Sequence, residues 1–317
     1  MKLYYYGEYK NFGDILNIWL WPKLLPNIFD EDGSTLFMGI GTLLNDLVPA
    51  KPFKVVFGTG VGYGNGLPVI DKNWKIYCVR GPLSAQALGL DSNLAATDGA
   101  MMLRKMGMPA KQKHYPVSFM PHWQSTHWNW KPICKQAGLH YIDPAAEIEQ
   151  VLQDIQCSDL VIAEAMHGAI VADALRVPWI PVQANKWILK FKWQDWCQSV
   201  GLEYKPICLP RLYSEANGIA LIRKKLRNIG LYHNSIFTTL AQTIEFGVSQ
   251  TLKMVNNSLS NQIVKTLSLA IKGTAPTLSS DQAISSVTSR LEEKLEQFKY
   301  DYISGCLLTT TSNRRVN

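Results

Sequence analysis

His167 sits where a short apolar run, Asp159–Ala163, gives way to a helical pattern that carries Ile170, Val171, Ala174 and Leu175 on one face and stops before Pro178. An imidazole in the first turn of a helix meets the positive end of the dipole. That disfavours its charged form until an anion binds, and the bound anion then raises its pKa. This behaviour suits a proton donor or an anion ligand, and Gly168 beside it permits close approach of a ligand. Arg80 ends another apolar run, Lys75–Val79, and Pro82 opens a helix that Gly89 closes. Its guanidinium is expected in the same cleft, where it can hold a carboxylate or phosphate through two parallel hydrogen bonds. The plainer readings are a histidine bonded to a local carbonyl and an arginine in a surface ion pair.

These residues need a scaffold that gathers strand ends. Through the first two-thirds of the 317 residues, short β-rich runs alternate with helical patterns, as in parallel sheets with crossover helices. Strands are expected at Leu3–Tyr6, Thr35–Met38, Lys54–Phe57, Lys75–Val79 and Leu94–Thr97, then at Tyr115–Met120, Leu139–Ile142, Asp159–Ala163 and Trp179–Val182. Asp143 and Pro144 open a helix whose Ile148, Val151, Leu152 and Ile155 fall at i, i+3, i+4 and i+7. In open α/β sheets ligands bind outside the carboxyl ends of strands, beside helix N-termini. The segments there are polar or glycine-rich: Asn11–Asp14, Gly39–Gly41, Gly58–Gly62, Arg80–Pro82, Asp98-Gly99, Pro121-His122, Glu164 and His167-Gly168. The expected fold is α/β, with two Rossmann-like doubly wound domains over residues 1–110 and 111–210, the break falling at Lys105–Pro109. A helical extension over 211–272 follows. The Ser/Thr-rich tail, 273–317, is expected to be loose to Ser289, then helical over Arg290–Tyr302, with a frayed end.

Composition narrows the chemistry. A net charge of +7 and a pI near 9.0 favour anionic partners. Nucleic acid is not expected, because no recognition motif accompanies the charge. Arg223, Lys224, Lys225 and Arg227 share a helical pattern that is either a solvated face or a contact for anionic lipid. No apolar run approaches the ~18–20 residues of a membrane span, and the first residues lack a secretory pattern, so a soluble cytoplasmic protein is expected. The six cysteines form no CxxC pair and read as buried thiols. The glycines of Gly58–Gly66 miss the dinucleotide fingerprint, since Tyr63 and Asn65 stand where its last glycine belongs. Asp30-Glu31-Asp32 reads as a solvated turn, and His122 and His127 are five apart, the wrong spacing for a shared metal on a helix. No cofactor and no metal are expected.

The order of these segments resembles the polysaccharide pyruvyltransferase family. The likeness rests on Asn11-Phe12-Gly13-Asp14, Gly39–Leu44, Gly58–Gly62, Arg80–Ser84, Asp98, and Ser158-Asp159-Leu160 running to His167 with Lys186 beyond. Within the family, Trp19–Pro22 and Ser34–Phe37 are similar to the ketal-forming pyruvyltransferases of succinoglycan synthesis. The resemblance covers about residues 1–210. It implies two Rossmann-like domains facing across a cleft, as in B-type glycosyltransferases, with phosphoenolpyruvate as donor. The implied acceptor is a sugar of a lipid-linked oligosaccharide or polysaccharide, met at the inner face of the plasma membrane. Many members carry Arg-x-His in the second domain. Here Ala165-Met166-His167 lacks that arginine, so Arg80, Lys186 or Arg176 must hold the donor's anions.

Ketal formation from an enol phosphate needs a proton donor, a base for the attacking hydroxyl, and cations for carboxylate and phosphate. His167, Asp14 and Asp98 are the candidate catalytic residues, with His167 as donor of the proton or phosphate ligand and either aspartate as base. Arg80, Lys186, Asn11 and Gly168 are the candidate donor-binding residues, and His122 and Glu164 the candidate acceptor contacts. Arg80, His167 and Lys186 together are expected to rim one anionic pocket. Two other functions fit the same architecture: a glycosyltransferase using a nucleotide sugar, and a non-catalytic polysaccharide-assembly protein.

Overall fold

The computed structural model describes residues 1–7, 10–229 and 235–308. Two parallel sheets carry the site. In the first, β1 (Lys2–Leu3), β2 (Thr35–Met38), β3 (Phe53–Phe57) and β4 (Trp74–Cys78) lie side by side in chain order, with α1 (Phe12–Leu24) after β1 and α2 (Pro82–Ala87) after β4. Phe37, Val55, Val56, Phe57 and Cys78 are fully buried, as strands covered on both faces require. The second sheet holds β5 (Ser118–Met120), β6 (His140–Tyr141), β7 (Val161–Ala163), β8 (Trp179–Gln183) and β9 (Ile207–Cys208) in the order β6-β5-β7-β8-β9. Its helices are α3 (Trp130–Ala137), α4 (Ile148–Gln156), α5 (Met166–Ala174) and α6 (Lys190–Ser199).

From β5 the chain steps out to β6, returns across to β7 and continues the other way, so the order reverses between β5 and β7. A reversal of this kind leaves a crevice at the strand ends where ligands bind. The first sheet has no reversal, so the doubly wound order expected of both halves is present in the second alone. The expected strand Leu94–Thr97 is instead a 3-10 turn at Ser92–Leu94 and a single parallel bridge from Ala95 to Val79. Asp98 caps a second 3-10 helix, Gly99–Met106, by accepting from Ala100 N, and this stops the ladder.

One apolar core runs through both halves. It joins Leu16 and Leu20 of α1 to Val151 and Ile155 of α4 and to Ile170 of α5. Beyond the second sheet, α7 (Glu215–Asn228) and α8 (Ser235–Gly273) form an antiparallel pair, since Tyr213 meets Asn256 while Arg223 meets Glu245. Ile263 and Leu267 seat α8 on Trp130 and Ile133 of α3.

The tail is more ordered than expected. Thr277 pairs with Trp179 of β8 through two backbone hydrogen bonds, and Ser279 N donates to the buried Asp173. Helix α9 (Asp281–Ile303) then crosses to the first sheet. Its Ile284, Val287, Leu291, Leu295 and Phe298 are buried, a spacing of three and four that makes one apolar stripe. Tyr77 donates to Asp301 at 2.6 Å, and Lys75 lies 3.4 Å from the same carboxylate. Ser and Thr at 277–280 therefore read as loop but serve as pairing and capping groups, with Ser280 accepting from Ala283 N. The end of the tail, expected to fray, lies outside the described residues. Of the six cysteines, Cys208 and Cys306 are exposed and the other four are buried.

Candidate active site

A cavity of about 1300 Å³ is lined by segments that each follow a strand: Asn11 and Asp14 after β1, Thr42 after β2, His122 after β5, His167 after β7 and Lys192 after β8. The two histidines flank the point where the second sheet reverses. The α1 side is fixed by Asn17, which is fully buried. Its amide donates to Asp14 O and Ile40 O, and its oxygen accepts from Ile40 N and Trp21 Nε1. One side chain thus sets the start of α1 against the loop leaving β2.

His167 lies in the first turn of α5, its Nε2 3.6 Å from Asp98 Oδ2. That is ion-pair reach but longer than a hydrogen bond. Both atoms are buried without a hydrogen-bond partner, so a protonated ring would be drawn onto the carboxylate. The other ring nitrogen is Nδ1. It packs against Gly13, where a Cβ would stand 2.0 Å from it. Asn11 donates to Asp14 at 2.6 Å. Burial pushes the Asp14 carboxyl above the ordinary carboxylate range, while Asn11 and the nearby His167 and Lys192 pull it back.

Burial, and then the charges of Lys192 and His167, push His122 down to about 3, so it is neutral at pH 7. Its Nδ1 accepts from Gln124 N at 3.3 Å, which puts the ring proton on Nε2 and makes that atom an uncharged donor. Lys192 is buried, and its Nζ is 2.8 Å from the Tyr63 hydroxyl. It is the cation that strand-end reasoning missed. A signal was present: Trp193, Trp196, Cys197 and Val200 fall at i, i+3, i+4 and i+7, which makes a helix with Lys192 in its first turn. Arg211, after β9, adds a second positive charge to the lining and lies over the Trp128 ring, 6.0 Å from its centroid.

The expected rim of Arg80, His167 and Lys186 does not form. Arg80 is fully buried, with Nε on Asp195 at 2.9 Å and its other nitrogens on Gly41 O, Thr42 Oγ1 and Val61 O. It shapes the loops after β2 and β3 from behind and has no face on the cavity. The glycine-rich Gly58–Gly62 segment belongs to this arrangement, since a Cβ on Gly60 would stand 2.4 Å from the guanidinium carbon. Lys186 is exposed and absent from the lining. Arg176 is bonded to Ser279 and Asp281 in the tail crossing. Asp98 is fully buried behind His167 and absent from the lining. Glu164 accepts from His122 N, Ala184 N, Asn185 N and Ser125 Oγ, so it ties the ends of β5 and β8 together. Burial raises its carboxyl while these donors lower it. Gly168 lets α5 pack on Met120, whose Sδ would be 2.7 Å from a Cβ there, and that packing replaces the expected ligand approach. Asn11, Asp14, His122 and His167 are brought together as expected. Asp30 and Asp32 bond within their own turn.

Residues 28–184 match the family described as polysaccharide pyruvyl transferase. The succinoglycan biosynthesis protein ExoV of Rhizobium meliloti (strain 1021) is 44% identical over 215 residues, which is 66% of this chain and 68% of that relative.

Proposed function

This chain belongs to the polysaccharide pyruvyl transferase family and is a polysaccharide pyruvyltransferase, and we propose that it draws pyruvate from phosphoenolpyruvate and sets it as a cyclic ketal on a sugar of an exopolysaccharide of the succinoglycan type. The observation that carries this reading is the inner end of the cavity. There a buried lysine, an uncharged histidine donor, a histidine at a helix N-terminus and a carboxylate line one space.

The chemistry follows from these groups. Lys192, Arg211 and the N-terminus of α5 hold the donor's carboxylate and phosphate, supplying the charge that the missing arginine beside His167 would have given. His122 adds a hydrogen bond from Nε2. His167 donates a proton from Nδ1 to the methylene carbon of the enol, while Asp98 steadies the imidazolium at Nε2. The resulting cationic carbon is attacked by one sugar hydroxyl, whose proton passes to Asp14. The carbon–oxygen bond to phosphate then breaks, inorganic phosphate leaves with the proton held by Asp14, and a second hydroxyl closes the ketal and returns its proton to His167.

The finer architecture we favour is two α/β domains, residues 1–110 and 111–210, facing each other as in B-type glycosyltransferases, with the doubly wound order in the second. No helix among the described residues is long and apolar enough to cross a membrane. A lipid-linked acceptor would be met at the inner face of the plasma membrane, with Lys224 and Lys225 of α7, both exposed, toward anionic headgroups. The test is incubation with labelled phosphoenolpyruvate and a lipid-linked glycan extract. An acid-labile pyruvate adduct formed with equal free phosphate is the expected result. Adduct formation from a sugar nucleotide, with phosphoenolpyruvate inert, would overturn it.

A further inference from the structure

A pocket of roughly 300–1,000 Å³ suffices for a drug-sized ligand. The cavity, at about 1300 Å³, is larger than a small enol phosphate requires. Away from Asp14 and His167 its wall changes character. Trp187, in the loop between β8 and α6, is 68% exposed, and Tyr213, just before α7, is 54% exposed. Both line the cavity, and both are held in place. Asn256 of α8 clamps the Tyr213 backbone at two points, accepting from its N–H at 2.9 Å and donating to its carbonyl at 2.8 Å. Trp187 N donates to Asn185 Oδ1 at 3.0 Å. The backbones that carry these two large rings are thus held by hydrogen bonds while the rings remain mostly in water, and Gln124 and Asn217 also line the cavity.

A flat aromatic face beside amide side chains matches a sugar ring, which has an apolar C–H face and an edge of hydroxyls. We propose that this outer part of the cavity is an acceptor subsite for an oligosaccharide of about three sugars or more, with Trp187 and Tyr213 as stacking platforms and the α7–α8 pair as the far wall. The inference rests on the sugar acceptor proposed above and adds what that reading lacks: the enzyme reads chain length. The helical extension is a specificity element, because it supplies Tyr213 and the clamp on it.

The test is calorimetric titration of the full chain with size-fractionated oligosaccharides from partly hydrolysed succinoglycan, from monosaccharide upward. Wild-type affinity should rise about tenfold or more between the monosaccharide and tetrasaccharide fractions. Trp187→Ala and Tyr213→Ala should flatten that rise, and Trp187→Phe should keep most of it. Both rings are exposed, so these variants should fold. Each variant should also keep the phosphoenolpyruvate-induced rise in Tm, which reports on the donor site alone. Equal wild-type affinity for short and long fractions would overturn the subsite. So would a chain-length dependence untouched by both alanine variants. A missing donor-induced shift in the wild type, with the length dependence intact, would instead overturn the donor assignment and leave the subsite standing.

Discussion

The inner and outer ends of the cavity are built in opposite ways. At the inner end three of the groups that face the space are backed by a second, buried one: Asp98 behind His167, Glu164 behind the His122 backbone, and Asp195 behind Arg80 and so behind Thr42. At the outer end the rings of Trp187 and Tyr213 stand in water, fixed only through their backbones. Buried polar support is costly unless every member is paired, and it is found here where a proton must move to a defined atom. Recognition of a long flexible glycan needs only fixed platforms. Substitutions at the inner end should therefore act on turnover or folding, and those at the outer end on acceptor affinity.

The sharpest way to break that contrast is His167→Ala. Loss of a positioned proton donor should lower kcat about 10³-fold with the fold retained by circular dichroism. Near-normal turnover would remove the imidazole from the chemistry. Next in size is Asp195→Ala, which leaves the Arg80 guanidinium buried without its charge partner and should cost about 3–5 kcal/mol in urea unfolding. If Arg80 faced the donor, the same variant would change phosphoenolpyruvate affinity with little loss of stability. Gly13→Ala should follow, since a methyl group there must displace the His167 ring; a shift of about 1 Å corresponds to a roughly 10²-fold fall in kcat.

The last effect is one of pH. His122 titrates near 3 in the folded protein and at its ordinary 6.5 when unfolded. Between those values the unfolded chain binds the extra proton, so stability contributed by His122 is complete above pH 6.5 and is lost as pH falls toward 3. Asp14 and Glu164, raised by burial, act in the opposite sense, so wild type must be compared with His122→Gln. The difference in Tm between the two should narrow on acidification. A constant difference would mean that His122 is not buried in its neutral form.

Much of the frame was legible in the sequence, because strands at Thr35–Met38 and Trp179–Val182 are short apolar runs bounded by turn residues, and strand ends gather ligands in any such sheet. Asn11, Asp14, His122 and His167 follow from that rule alone. What the rule lacks is direction. Residues one after another at a strand end point to opposite sides, so Arg80 faces into the protein and Lys186 into solvent, while Lys192, six residues further and one helical turn in, reaches the cavity. Partners distant in sequence decide this, and Asp195, which claims Arg80, stands 115 positions away. The crossing of α9 was hidden for a similar reason: the serines and threonines before it find their partners, Trp179 and Asp173, on the second half of the molecule.

Phosphoenolpyruvate binding by Lys192→Met and Lys186→Met, measured by calorimetry beside the wild type, goes most directly to the inner cavity as the donor site. Lys192→Met should weaken binding by about 30-fold or more, the cost of losing a charged contact to a bound anion, and Lys186→Met should bind as the wild type does. Normal affinity in Lys192→Met together with loss in Lys186→Met would contradict the placement of the donor.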